Sequence, residues 1–146
     1  MKTSIQKTAL VSYTPSEMFA LVSDIKSYPQ FLPWCSGVRV RPISEDDLEA
    51  TIDISKAGVE KSFTTHNRHQ VNKMIEMRLV EGPFRRLDGY WRFDPLGDAG
   101  CKVSLDLEFE FASRMLDMVV GPIFSQIANT LVDAFHKRAI EVYGKR

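Results

Sequence analysis

Two-residue alternation of apolar and polar side chains runs through most of the chain and gives way to a helical period near its end. Residues 4–11 alternate well enough for a strand, and Tyr13-Thr14-Pro15-Ser16-Glu17 then resets the chain, with Thr14 as a helix N-cap and Pro15 in the first turn. Met18, Phe19, Leu21, Val22 and Ile25 give the next helix one apolar face. Pro29 and Pro33 bracket Gln30-Phe31-Leu32, which leaves room for a turn or two of helix before a second strand near Val38 to Ile43.

Leu48, Ala50, Ile52 and Ile54 share one face of the following strand. Lys56-Ala57-Gly58 is a hairpin-length link to Val59, Lys61, Phe63, Thr65 and Asn67. Ile75, Met77 and Leu79 mark another strand, Glu81-Gly82-Pro83-Phe84 a turn, and Leu87, Gly89, Trp91 and Phe93 the next inward face. The cleanest alternation sets Val103, Leu105, Leu107, Phe109 and Phe111 against Lys102, Ser104, Asp106, Glu108 and Glu110. Beyond Ser113, Leu116, Val120, Phe124, Ile127, Leu131, Phe135 and Val142 drift around one side of a helix. Gly121-Pro122 predicts a break there, with a short first piece and a main helix from about Pro122 to Tyr143, roughly 30 Å long. The layout is α+β: about seven antiparallel strands curved around one long C-terminal helix, with space left between the layers.

Composition adds bounds. A length of 146 residues with 44% hydrophobic content forms a single domain over 1–146 without disulfides or metal. The 19 basic and 19 acidic side chains cancel, so a nucleic-acid or anionic-lipid partner must be met by a local patch. The start of the chain has no signal or transit character and no run approaches about 20 apolar residues, which reads as cytoplasmic. Cys35 and Cys101 lack CxxC spacing, and no disulfide is expected between them.

The chemistry-bearing residues point to binding. Lys61, Thr65 and Asn67 alternate in phase with Val59 and Phe63, and two readings stand: polar residues near strand ends, with Lys61 snorkelling, or the few polar groups that orient a ligand in an apolar cavity. Met74, Met77, Met115 and Met118 are either core or, for the last two, a mobile lip over such a cavity. His66 and His69 fall on opposite faces of a strand, so no metal site is expected. Asp106, Glu108 and Glu110 read as a solvated face, and no nucleophile, P-loop or dinucleotide motif is present, so no enzyme is expected. Arg85, Arg86, Lys137 and Arg138 are the candidates for an RNA or ribosome contact.

Tyr28-Pro29-Gln30-Phe31-Leu32-Pro33-Trp34-Cys35, Ser62-Phe63-Thr64-Thr65-His66-Asn67, the stretch Glu81-Gly82-Pro83-Phe84-Arg85-Arg86-Leu87-Asp88-Gly89-Tyr90-Trp91-Arg92-Phe93 and Ala134-Phe135-His136-Lys137-Arg138-Ala139 carry a resemblance over nearly the whole chain. In order and spacing they resemble the coenzyme Q-binding and ribosome-association toxin family of the START-like, polyketide cyclase-like superfamily. That resemblance implies a helix-grip (START-like, Bet v 1-like) fold with an apolar tunnel. It implies two activities: non-catalytic binding of ubiquinone or a related isoprenoid lipid in support of respiration, or association with the large ribosomal subunit that blocks subunit joining. Without a transit segment the chain resembles the bacterial members. The resemblance implies ligand contacts at Tyr28, Phe31, Leu32 and Trp34 at the mouth, Phe63, Trp91 and Phe93 along the sheet, and Phe124, Ile127, Leu131 and Phe135 on the helix; the residue pattern itself adds Lys61, Thr65, Asn67 and Met77 as candidates. A hydrophobic ligand, the large ribosomal subunit and a peripheral membrane contact for ligand exchange are the implied partners, with no cofactor other than a bound quinone. The chain departs from the family at Asn67-Arg68-His69, where a hydrophobic residue follows the asparagine in other members.

Overall fold

The computed structural model describes residues 2–146. Strand β1 (Thr3–Val11) leads into helix α1 (Pro15–Ser23) and a 3-10 helix (Ile25–Gln30). Six strands follow: β2 (Cys35–Pro42), β3 (Asp47–Lys56), β4 (Val59–Gln70), β5 (Met74–Glu81), β6 (Phe84–Leu96) and β7 (Gly100–Phe111). Helix α2 (Arg114–Tyr143) ends the fold. The sheet order is β1-β7-β6-β5-β4-β3-β2, antiparallel throughout, so β2 to β7 form a meander and only β1 finds its partner from a distance. This is the expected helix-grip architecture.

Local chemistry explains the elements. Thr14 and Glu17 form a reciprocal capping box: the Thr14 hydroxyl accepts from the Glu17 N–H at 3.1 Å and the Glu17 carboxylate accepts from the Thr14 N–H at 2.9 Å. The β3–β4 hairpin turns on Ala57 (φ 52°) and Gly58 (φ 80°), two left-handed residues that match the twist of the strands. Along β7, Cys101, Val103, Leu105, Leu107, Phe109 and Phe111 are all buried, as the alternation requires. Gly89 is the point where β6 and β7 close up. A Cβ there would lie 2.2 Å from the Asp106 carbonyl oxygen, so any larger residue would force the strands apart.

Three expectations are corrected. The helical segment before β2 lies upstream of Gln30-Phe31-Leu32, over Ile25–Gln30, because the tighter 3-10 winding accommodates Pro29 and the Ser27 hydroxyl bonds back to Asp24 at 2.6 Å. Strand β2 starts at Cys35 rather than near Val38. Helix α2 runs unbroken through Pro122, which takes the N–H away from the bond to the Met118 carbonyl. Pro122 and Met118 both lie on the exposed side, while Val120, Gly121 and Phe124 hold the buried side to the sheet. Met115 and Met118, 74% and 73% exposed, are therefore neither core nor cavity lining. By length and composition α2 is apolar enough to cross a membrane, and a third of that window is buried in this fold.

The chain end is tied to the start of α1. The Tyr13 hydroxyl donates to the Gly144 carbonyl at 2.7 Å, the Tyr143 hydroxyl to the Glu17 carbonyl at 2.9 Å, and Arg146 meets the Glu17 carboxylate at 2.7 Å. The Arg146 bond first, then the Thr14 N–H, hold the Glu17 carboxyl at about 2 against its ordinary 4.5. A carboxyl depressed in the folded state stabilises the fold above its unfolded pKa, and that contribution fades as pH falls from the unfolded value through the folded one. Urea titrations should therefore find Arg146→Ala less stable than the parent at pH 7 and level with it at pH 2. Thr14→Ala should cost about 1 kcal/mol at pH 7 through the lost cap. An Arg146→Ala deficit that stays constant between the two pH values would remove the ion pair as its cause.

Candidate functional site

The concave face of the sheet and the underside of α2 enclose an apolar cavity of about 80 Å³. Helix α2 contributes Phe124, Ile127, Ala128, Leu131 and Phe135; β4 contributes Phe63, Thr65 and Asn67; and Trp91, Leu87, Leu105 and Leu107 form the floor on β6 and β7. Ile52, Ile54, Met77, Ile25, Tyr28 and Trp34 complete the wall. Two aromatic clusters close its ends. At one, Phe124 packs edge-on against Phe63, Phe84, Phe109 and Phe111 with ring centroids 4.8–6.1 Å apart. At the other, Phe135 meets Tyr28, Phe31 and Trp91 at 5.3–5.4 Å.

Of the residues proposed from sequence, Tyr28, Trp34, Phe63, Thr65, Asn67, Met77, Trp91, Phe124, Ile127, Leu131 and Phe135 are brought together on this wall. Four are not. Lys61 is exposed beside the β3–β4 hairpin, opposite Ile54, and borders a polar surface cleft with Arg39, Asp53 and Glu60. Phe93 is buried against Phe19 of α1. Phe31 and Leu32 line a surface groove with Lys56, Thr130 and Ala134. Trp34 belongs to both that groove and the cavity, so its ring separates the interior from the surface. Ile25, Ile52, Ile54, Leu87, Leu105, Leu107 and Ala128 also line the cavity, although their sequence pattern is that of plain core. Nothing in an alternating pattern marks which inward residues face a void.

The polar content of the wall is confined to one strand. Thr65 and Asn67 are 3% and 6% exposed, and the Thr65 hydroxyl donates to the Asn67 side-chain carbonyl at 2.7 Å. They follow a bulge at Thr64/Thr65, which breaks the β4–β5 register just where the two side chains turn inward. Tyr28 carries the wall's one titratable side chain. Its hydroxyl donates to the Val22 carbonyl, and burial raises its pKa. The wall therefore holds no charge.

Other candidate chemistry lies elsewhere. His66 meets Asp47 at 2.9 Å on the outer face, while His69 stacks edge-on with Phe19 on the inner one, where burial lowers its pKa. Burial pushes both thiols up, Cys101 to about 11, so neither is primed as a nucleophile. Arg85 pairs with Glu110 at 3.9 Å, and Arg86 with Asp88 at 3.4 Å and Glu108 at 3.9 Å. Arg138 bonds to Gln30 at 3.1 Å and lies over the Phe31 ring. The turn before β6 abuts the start of α2 through the Ala112 N–H and Pro83 carbonyl. Lys137 and Arg138 are more than six turns further along α2, roughly 35 Å away. The four basic candidates thus form two separate surfaces.

A helix held by aromatic clusters over a curved sheet, with an uncharged void beneath it, is the START-like arrangement, and the chain belongs to the polyketide cyclase / dehydrase and lipid transport family, whose model matches residues 11–136. It is 48% identical over 141 residues to the ribosome association toxin RatA of Vibrio cholerae, covering 97% of this chain and 98% of that one. It is 24% identical over 147 residues to the mitochondrial coenzyme Q-binding protein COQ10 homolog B of Xenopus laevis, covering 96% of this chain and 59% of that one. Among solved structures, the 18 kDa protein CC1736 of Caulobacter crescentus matches with a TM-score of 0.76 at 30% identity, over 98% of this chain and 99% of that one.

The two kinds of lining residue should respond differently to truncation. Phe124→Ala empties an aromatic cluster and should cost about 3–5 kcal/mol, whereas Leu131→Ala, at a half-buried position beside an existing void, should cost less than about 2 kcal/mol. Urea denaturation of both variants checks this. Equal costs would mean that the void at Leu131 closes as tightly as the core.

Proposed function

We propose that the chain is a non-catalytic cytoplasmic binder of a hydrophobic molecule, ubiquinone or a related isoprenoid lipid, held between the sheet and α2 in support of respiration. The observation that carries this reading is the uncharged wall, apolar apart from Thr65 and Asn67. Energetics favour a tail-driven ligand. About ten buried prenyl carbons contribute roughly 8 kcal/mol at about 0.8 kcal/mol each, against about 1 kcal/mol for a net hydrogen bond. The cavity of about 80 Å³ is smaller than the roughly 300 Å³ or more of ordinary ligand sites, so the tail must part α2 from the sheet as it enters. Leu131 and Met77, both half-buried and flexible, are the side chains that yield. The kinship with a protein named for coenzyme Q binding supports the same reading.

A second reading is association with the large ribosomal subunit that blocks subunit joining. It is supported by the 48% identity to a protein named as a ribosome association toxin. Of the basic residues, Arg85 and Arg86 are already engaged by carboxylates, so Lys137 and Arg138 at the far end of α2 offer the less neutralised surface.

Organic extraction of the purified protein followed by mass spectrometry tests the first reading, with Leu131→Glu as control. A quinone near one per chain, lost in the folded variant, is the expected result; no lipid in the parent, or a quinone retained by Leu131→Glu, would contradict the cavity assignment. Sedimentation with large subunits across a salt series tests the second. Binding that weakens steeply with salt and is lost in a Lys137→Glu, Arg138→Glu double variant supports it, and salt-independent or unaffected binding would contradict it.

A further inference from the structure

We infer that Asn67 reads the ligand's head group, and that the cavity selects neutral lipids carrying a carbonyl-type acceptor while refusing anionic ones. The inference rests on the lipid-binding reading proposed above and specifies its chemistry. Asn67 is 94% buried by the complement of its 6% exposure, and it lines the cavity. Its side-chain carbonyl is engaged by the Thr65 hydroxyl at 2.7 Å, which fixes the amide orientation and turns the Nδ2 group away from Thr65. That NH₂ group carries two donors; its carbonyl is the side chain's one hydrogen-bonded atom among the described residues, and the amide borders the cavity rather than being sealed from it. A donor that borders an apolar cavity with no protein acceptor favours a molecule that fills the cavity and accepts from it over one that fills the cavity and does not.

The rest of the wall narrows the class. Trp34 and Trp91 add ring surface to the wall, and the Tyr28 hydroxyl is spent on the Val22 carbonyl. No lysine, arginine or histidine lines the cavity, so a carboxylate or phosphate head brought inside would have no counter-charge. The exposed cations of β4, Lys61 near the hairpin and Arg68 next to Asn67, are absent from the cavity lining. A neutral quinone, ketone or ester satisfies the donors without burying charge. A fatty acid of equal length does not, and a pure hydrocarbon leaves the amide unpaired.

The test uses the intact chain and a neutral dye, N-phenylnaphthylamine, displaced in turn by a ubiquinone with a two-isoprene tail, by phytane and by palmitate. Quenching of Trp34 and Trp91, the two tryptophans of the chain, reports the quinone independently. The quinone is expected to displace the dye at about tenfold lower concentration than either competitor, as loss of one buried hydrogen bond requires. Asn67→Leu should lose about that tenfold for the quinone while its affinity for phytane rises. Thr65→Val, which releases the amide from its fixed orientation, should narrow the preference for quinone over phytane. Palmitate competing as well as the quinone, or Asn67→Leu binding the quinone like the parent, would overturn the inference and leave the lipid-binding reading intact. A parent chain that binds neither dye nor quinone nor phytane would overturn both. If Asn67→Leu does not fold, the parent's ranking of the three competitors decides alone.

Discussion

One helix about 10 Å across cannot cover the face of a seven-stranded sheet, whose strands are spaced about 4.8 Å apart and span about 30 Å. The sheet has to curl around α2, and where α2 touches it is set by the largest side chains. Phe124 and Phe135 are those contacts, each seated in a cluster of rings from the sheet and the 3-10 helix. They are eleven residues apart, about 16 Å along the helix, and between them α2 lines the cavity with Ile127, Ala128 and Leu131. The void follows from that arrangement. Large residues at the two ends hold the layers apart, and smaller ones between them do not fill the gap.

The same division separates what could be read in the sequence from what could not. The strict alternation from Val103 to Phe111, the Thr14-Pro15 helix start and the Ala57-Gly58 turn each impose a local conformation, and each element formed where its pattern placed it. Pro122 shows the limit of local rules. Its missing hydrogen bond falls on the wet side of α2, and the packing of Val120 and Phe124 outweighs it. For the cavity, Thr65 and Asn67 were visible as polar residues in an apolar phase. Lys61 was in the same phase, yet it is exposed near the β3–β4 hairpin, between buried Val59 and half-buried Phe63. Period alone cannot supply that distinction, since it depends on where α2 crosses the sheet. Leu105 and Leu107 illustrate the converse: their pattern is that of core, and only the position of Ala128 above makes them cavity walls.

The outer face of the sheet follows a different logic. Arg39 with Asp53, Arg41 with Glu49, and Arg85 and Arg86 with Glu110, Asp88 and Glu108 set opposite charges across neighbouring strands or along one strand. Exposed pairs of this kind contribute little stability each, but they leave the convex face close to neutral and keep its strands in register. The net charge of zero is therefore also neutral locally over much of the sheet. Of the four basic candidates, Lys137 and Arg138 on α2 lie away from the carboxylates of β6 and β7 that engage Arg85 and Arg86. The lipid-binding and ribosome-binding readings thus draw on different parts of the molecule, the underside of α2 and its exposed C-terminal half, and one chain can carry both.

The most direct measurement is a crystal structure of the chain loaded with a two-isoprene ubiquinone. The expected result is quinone density between Trp34, Phe124 and Leu131, the head carbonyl within hydrogen-bond distance of Asn67 Nδ2, and α2 displaced from β4 so that the cavity exceeds its present volume of about 80 Å³. A cavity of unchanged volume with the quinone bound elsewhere, in the outer groove of Phe31 and Lys56 for instance, would contradict the assignment of the space beneath α2 as the ligand site.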